Sequence, residues 1–289
     1  GWFSTSSYDR GARLIPISPI RAYDSDLAKF DGATLVGRSQ REVPVLGAVD
    51  ANDPGDPIPD DPNIVGVVAN VTGVNTAPGS EWTYISALPE RVPNGDEPST
   101  STVNLLPGQI KANLAILPIG DDGSIHLFNY DGEIRLVVDF VGYLLEGEPV
   151  ESSAGRVIPL VGPFRAFDTR EPLHNKTPLG PARSESWSFD SFVNDVTIDG
   201  AWVGEQVGLI GNLTATDLQP QYVGPPAVSY MTAYPTPASG PATPPEVSNL
   251  NIFEGDTVAN LALMRYGGDS QDPHMLQFYN RAGYVDYLL

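Results

Sequence analysis

The chain has 289 residues, 36 acidic side chains against 16 basic ones, a formal charge of −20 and no cysteine. The missing thiols exclude disulfide frameworks, thiolate metal sites and cysteine nucleophiles. The charge excludes a phosphate-neutralising surface for nucleic acid and works against an anionic membrane, since both need Lys and Arg.

No apolar run reaches the ~18 residues of a membrane span, so membrane insertion is not expected. With 29 Gly and 28 Pro, and short β-rich runs bounded by turn residues, the chain reads as an all-β protein of two domains. It opens on Gly1-Trp2-Phe3, two aromatics at the very terminus. Strands are predicted over 12–17, 20–25, 41–47, 64–73, 82–88, 102–106, 110–118, 125–130 and 133–144. "IVGVVANV" and "IRLVVDFVGYLL" are apolar on both faces, as central strands of a two-layer packing are. Asp131-Gly132 between two such runs is a hairpin signal.

Between the early strands lies "VDANDPGDPIPDDP". Asp50, Asn52, Asp53 and Asp56 offer oxygen ligands on a tight loop, the donor set calcium takes. Pro54 occupies a place where such a loop wants a ligand, and no bidentate Glu follows. The segment reads as an acidic surface loop, with calcium as the cofactor alternative; no other cofactor is expected.

From Gly155 onward the pattern starts again. "ARLIPISPIRAYDSD" matches "GRVIPLVGPFRAFDTR", pairing Arg21 with Arg165 and Asp24 with Asp168. "VVANVTGV" matches "LIGNLTAT", with Asn70 on Asn212. "WTYISALP" matches "VSYMTAYP", with Trp82 on Val228. "VNLLPGQIKANLAILPIG" matches "LNIFEGDTVANLALMRYG", with Asn104 on Asn251 and Asn113 on Asn260. The predicted fold is therefore two tandem homologous β-sandwich repeats of jelly-roll type. Residues 1–11 form a tail of a preceding copy, 12–147 repeat 1, 148–155 a linker and 156–289 repeat 2.

Leu288 and Leu289 align with Val137 and Val138, so nothing in repeat 2 answers Asp139–Tyr143. Gly1-Trp2-Phe3 resembles Gly142-Tyr143-Leu144. Together these predict a slice of a longer array, or a gap that a neighbouring molecule fills. The expected assembly residues are Gly1, Trp2, Phe3, Tyr284, Leu288 and Leu289, at incompletely paired strand edges.

His126, His174 and His274 stand outside any serine or carboxylate pattern shared by the copies, and no nucleophile elbow, zinc helix or phosphate loop is present. No enzymatic activity is expected. Asp168 and Arg165 read as a local ion-pair network. The matched asparagines read as side chains tying loop backbone to the sheets. Trp187, in "ESWSFD", and Trp202 are the candidates for stacking on a sugar ring, whereas Trp82 aligns with a valine and reads as packing.

"FRAFDTR", "GNLTAT", "MTAYP", "SNLNIFEGDTVANL" and "VVDFVGYL", taken in order over nearly the whole chain, resemble a repeat of secreted actinobacterial surface proteins and actinophage structural proteins. Repeat 1 departs from it at "YDSD" and "STVNLL". The resemblance implies a non-catalytic accessory module outside the cell. The expected function is a structural or adhesive repeat of an extracellular fibre, surface array or phage particle, self-associating through strand edges and loops. The alternative is a carbohydrate-binding module that tethers an enzyme or virion to cell-wall glycan.

Overall fold

A computed structural model describes residues 12–30, 32–49, 58–77, 81–146, 165–172, 177–190, 197–198, 201–202, 206–222 and 227–289. Repeat 1 holds nine strands: β1 (Arg13–Asp24), β2 (Leu35–Val36), β3 (Gln40–Pro44), β4 (Ile64–Asn75), β5 (Thr83–Leu88), β6 (Val103–Leu105), β7 (Gln109–Pro118), β8 (Ser124–Asn129) and β9 (Glu133–Leu145). One sheet has the order β1-β9-β4-β7, with β2 added to β9; the other has the order β3-β8-β5-β6. Two four-strand layers interleaved in this way are a jelly roll. The runs expected over 12–17 and 20–25 are one strand. Its register against β9 shifts between Pro16 and Ile20, where Ser18 and Pro19 interrupt the ladder.

Repeat 2 holds β10 (Arg183–Ser188), β11 (Thr197–Ile198), β12 (Ala201–Trp202), β13 (Gly208–Gln219), β14 (Val228–Pro235), β15 (Leu250–Phe253), β16 (Thr257–Arg265), β17 (Met275–Asn280) and β18 (Tyr284–Leu288). The order β18-β13-β16 repeats β9-β4-β7, and β10-β17-β14-β15 repeats β3-β8-β5-β6. The chain is thus two tandem β-sandwiches of one design. Each has its own core, one built around Phe140, Leu136, Ile125 and Ile85, the other around Phe278, Tyr287, Phe189 and Leu213.

Asparagine side chains close each sandwich identically. Asn129 Nδ2 donates to Leu35 O at 2.9 Å while its Oδ1 accepts from Thr83 Oγ1 at 2.8 Å. In repeat 2, Asn280 Nδ2 donates to Leu179 O at 2.9 Å and Oδ1 accepts from Ser229 Oγ at 2.6 Å. Both asparagines are fully buried, so these bonds offset their desolvation. The matching hairpin turns before β7 and β16 each place a glycine at positive φ: 79° at Gly108 and 84° at Gly255.

Alternation separates the two central strands. β13 alternates between buried and accessible positions over much of its length, whereas β4 is buried on both faces. The reason lies outside the sandwich: the outer face of the β1-β9-β4-β7 sheet meets the second repeat.

Candidate functional site

The repeats join through a small apolar cluster ringed by polar bonds. Leu14, Val68 and Val141 on the outer face of repeat 1 pack against Leu263 on β16, with Leu114 and Leu144 at the margin. A Cβ added to Gly142 would lie 2.7 Å from Leu263 Cδ2, so the glycine of the Val-Gly-Tyr run admits the second repeat. Asn260 Nδ2 donates to Asn70 Oδ1 at 2.9 Å, and Asn260 Oδ1 accepts from Leu114 N at 3.2 Å. Asn70 Nδ2 donates to Ser248 O, and Arg21 donates to Glu246 O.

Arg21 is the electrostatic centre of this junction. Its Nε donates to Asp139 Oδ1 at 2.5 Å and its Nη1 to Asp24 Oδ2 at 2.5 Å. Ser248 N donates to the other Asp139 oxygen at 3.4 Å. Asp139 is fully buried, and desolvation pushes its carboxyl up to about 6 against the opposing pull of Arg21. Asp168 in repeat 2, which matches Asp24 and not Asp139, is held differently from Asp139. Asp168 Oδ2 accepts from Arg165 and Arg170, each at 2.7 Å, and the Arg170 bonds draw its carboxyl down to about 2. The local ion-pair network read from the sequence is present there.

Three of the six matched asparagines bind loop backbone: Asn70 holds Ser248 O, Asn260 holds Asn249 O and Asn113 holds Thr102 O, whereas Asn104 and Asn251 bond the hydroxyls of Ser101 and Ser248 and Asn212 is exposed.

Leu288 pairs with Thr214 and bridges to Asp168, and Leu289 N donates to Phe167 O at 3.1 Å. Tyr284 is 43% exposed opposite Gln219. In repeat 1, β9 pairs with β4 from Val74 back to Ile64. Among the described residues, β18 pairs with β13 only over Thr214–Gln219, so the Gly208–Asn212 edge on that side carries no strand. Gly1, Trp2 and Phe3 lie outside the described residues, as do Asp50, Asn52, Asp53 and Asp56 of the acidic loop and residues 148–155 of the linker.

Trp187 turns inward. Its ring stacks on Phe167 at 5.0 Å, and its indole N–H donates to Tyr287 Oη at 2.8 Å. Trp202 sits on β12 opposite Thr197. Among the tryptophans whose burial is described, the exposed one is instead Trp82, at 46%. It meets Tyr130 edge-on at 5.5 Å, and Tyr130 stacks on Tyr84 at 4.8 Å. The Arg38 guanidinium lies 4.5 Å from the Tyr130 centroid and pairs with Glu97. The β5–β6 loop is laced across the same sheet by Gln40 with Val92, Tyr84 with Pro98 and Ser86 with Thr100. It leaves a cleft of about 330 Å³ lined by Arg38, Gln40, Asn94, Asp96 and Phe128. Sequence reading missed this group because Trp82 aligns with Val228. Its partners come from three separate segments that only the sandwich brings together.

His274 and His126 each face an aspartate: His274 Nδ1 lies 2.6 Å from Asp190 Oδ1, and His126 Nε2 lies 3.1 Å from Asp122 Oδ2. The His274 bond lowers the Asp190 carboxyl, and the shared bond with Asp190 raises Asp272. Ser188 Oγ donates to Asp272 at 2.9 Å and not to the imidazole, so the cluster lacks the hydroxyl-to-imidazole bond of a nucleophile triad.

No family model and no curated protein matches the chain. Among solved structures it is similar to the N-terminal CBM22-1-CBM22-2 tandem domain of Paenibacillus barcinonensis Xyn10C. The identity is 12%, the match covers 78% of this chain and 77% of that one, and the TM-score is 0.23.

Proposed function

We propose that the chain is a non-catalytic structural repeat module of an extracellular fibre, surface array or phage particle, in which paired sandwiches act as a stiff spacer. The observation that carries this reading is the junction. A buried Leu–Val contact closed by Asn70, Asn260 and the Arg21 network fixes one repeat against the next, whereas flexibly linked domains meet through more polar surfaces. The extracellular setting rests on the motif resemblance and on an acidic surface that resists non-specific association.

Calorimetry and small-angle scattering test it. A spacer melts in one cooperative transition and scatters as a single rigid body. Two separate transitions with a broad ensemble of inter-repeat distances overturn it. Turnover of a glycoside or ester that disappears in His274→Ala would replace it with an enzymatic reading.

The Trp82 platform supports a second reading, adhesion to glycan. The axial C–H bonds of an all-equatorial pyranose form an apolar face that suits an exposed indole, and Arg38, over the Tyr130 ring that Trp82 meets, also lines the cleft with Asn94 and Asp96 as hydrogen-bonding groups. Repeat 2 supplies its own control, with Val228 and Ala182 at the positions of Trp82 and Arg38. Trp82→Val and Arg38→Ala therefore borrow residues the fold already accepts. Each is expected to weaken binding of cellohexaose, xylohexaose or chitohexaose at least about tenfold. No binding by the wild-type chain, or binding of a proline-rich peptide in its place, removes the glycan reading.

A further inference from the structure

The junction uses half of each repeat's matched surface and leaves the other half bare. The ladders fix the equivalences: Asn70 faces Leu114 and Val68 faces Ile116 in repeat 1, as Asn212 faces Leu261 and Ile210 faces Leu263 in repeat 2. Asn70 thus corresponds to Asn212, Val68 to Ile210, Leu114 to Leu261 and Ile116 to Leu263. One register along, Asn113 corresponds to Asn260.

Burial over these pairs is reciprocal. In repeat 1, Val68 and Asn70 are each 1% exposed, whereas Ile116 is 57% exposed. In repeat 2, Leu263 is 4% and Asn260 5% exposed, whereas Ile210 is 40% and Leu261 44% exposed. Asn113 and Asn212, the partners left over, are both exposed. Repeat 1 contributes a face to the junction and repeat 2 a ridge. The unused ridge belongs to repeat 1 and the unused face to repeat 2.

We propose that a second copy of this chain docks the ridge of its repeat 1, carrying Ile116 and Asn113, onto the face of repeat 2, carrying Ile210, Asn212 and Leu261. The contact reproduces the part of the internal junction that Val68, Asn70 and Leu114 supply, through their counterparts Ile210, Asn212 and Leu261. It joins two different surfaces, so it is heterologous and repeats head to tail, as an open array where its rotation does not close a ring. This deepens the structural-module reading and rests on it.

Two details show that the bare surfaces are set in the docking conformation. Asn113 Nδ2 already donates to Thr102 O at 2.9 Å, as Asn260 Nδ2 donates to Asn249 O at 2.6 Å in the formed junction. Asn113 Oδ1 is then turned toward a neighbour's backbone as Asn260 Oδ1 is toward Leu114 N. Arg165 corresponds to Arg21 and holds Asp168 as Arg21 holds Asp24. Its side chain is 50% exposed against 13% for Arg21, which is covered by the carbonyl of Glu246. Ser99 corresponds to Glu246 and supplies the matching carbonyl on the incoming ridge. Exposed Ile and Leu at matched positions on an otherwise acidic surface are what such a contact buries.

The test is sedimentation velocity on the full chain up to about 1 mM, with Ile116→Lys and Leu261→Lys. Both positions are exposed, so circular dichroism is expected to report an unchanged fold. The wild-type chain is expected to form oligomers that grow with concentration, and each variant to stay monomeric. An equimolar mixture of the two is expected to stop at the dimer, because each variant retains the surface the other has lost. A wild-type monomer at every concentration, variants that assemble like the wild type, or a mixture that remains monomeric overturns the proposal. The single calorimetric transition is read on the same samples. If it persists while assembly fails, the spacer reading stands and the docking is wrong; if it is absent, the spacer reading itself has failed.

Discussion

Asp139 shows how a buried carboxyl serves the junction at a cost. Its folded carboxyl sits at about 6, above the ordinary value of 3.8, because burial disfavours the charge. A raised acid stabilises the fold fully below the ordinary value and loses that contribution as pH rises through the folded value. Between pH 4 and 6 the wild-type chain should therefore lose on the order of 1–3 kcal/mol that Asp139→Asn keeps. Asp168, drawn down to about 2 by Arg170, works in the opposite sense: its contribution is present above pH 4 and fades toward pH 2. Melting curves from pH 3 to 8 should peak near pH 4–5, and Asp139→Asn should flatten the acid-to-neutral slope. A slope unchanged in the variant would place the titration elsewhere.

At the scale of the element, β13 and β4 have matched sequences and different surroundings. β4 is paired along both edges, whereas β13 carries β18 on one side only over Thr214–Gln219. Among the described residues the Gly208–Asn212 edge carries no strand, and such an edge, beside Ile210 and Leu209, suits an extended apolar segment. A peptide with the sequence of residues 139–145 is expected to raise the melting temperature of the chain in a concentration-dependent way, as any ligand of the native state does. A scrambled peptide is expected to leave it unchanged. An equal shift with both would show that the gain is not strand pairing. Within the strands the sequence was informative: Asp131-Gly132 and the alternating "IKANLAIL" mark a hairpin and a half-buried strand because both depend on neighbours in sequence. The join of 12–17 with 20–25 into β1 was not legible, since a bulge over Ser18-Pro19 is imposed by register against β9.

At the scale of the whole molecule, the proposed spacer needs the junction to make two sandwiches one cooperative unit. Asn260→Ala removes the partner of Asn70 Oδ1 and of Leu114 N and leaves both within a buried contact. The expected loss is about 1–3 kcal/mol, with the single transition broadening or splitting. Asn212→Ala, at the exposed counterpart of Asn70, should leave the thermogram unchanged. Equal effects at both positions would mean that the junction does not couple the repeats.

The sequence by itself determined that the chain is all-β, that it contains two copies of one pattern, and where those copies match, because repeated spacing of apolar and turn residues survives without coordinates. It also determined that Leu288 stands at the place of Val137, which the pairing with Thr214 reproduces. Tertiary structure alone decided which member of each matched pair is used. Asn70 and Asn212, or Ile116 and Leu263, are equivalent in sequence context and differ only in whether the other repeat covers them. It also decided that Trp187 is held inside by Phe167 and Tyr287 while Trp82 faces solvent. Alternation tells which side of a strand a side chain takes, and what lies on that side depends on residues distant in sequence, 100 positions away for Trp187 and Tyr287 and 190 for Asn70 and Asn260.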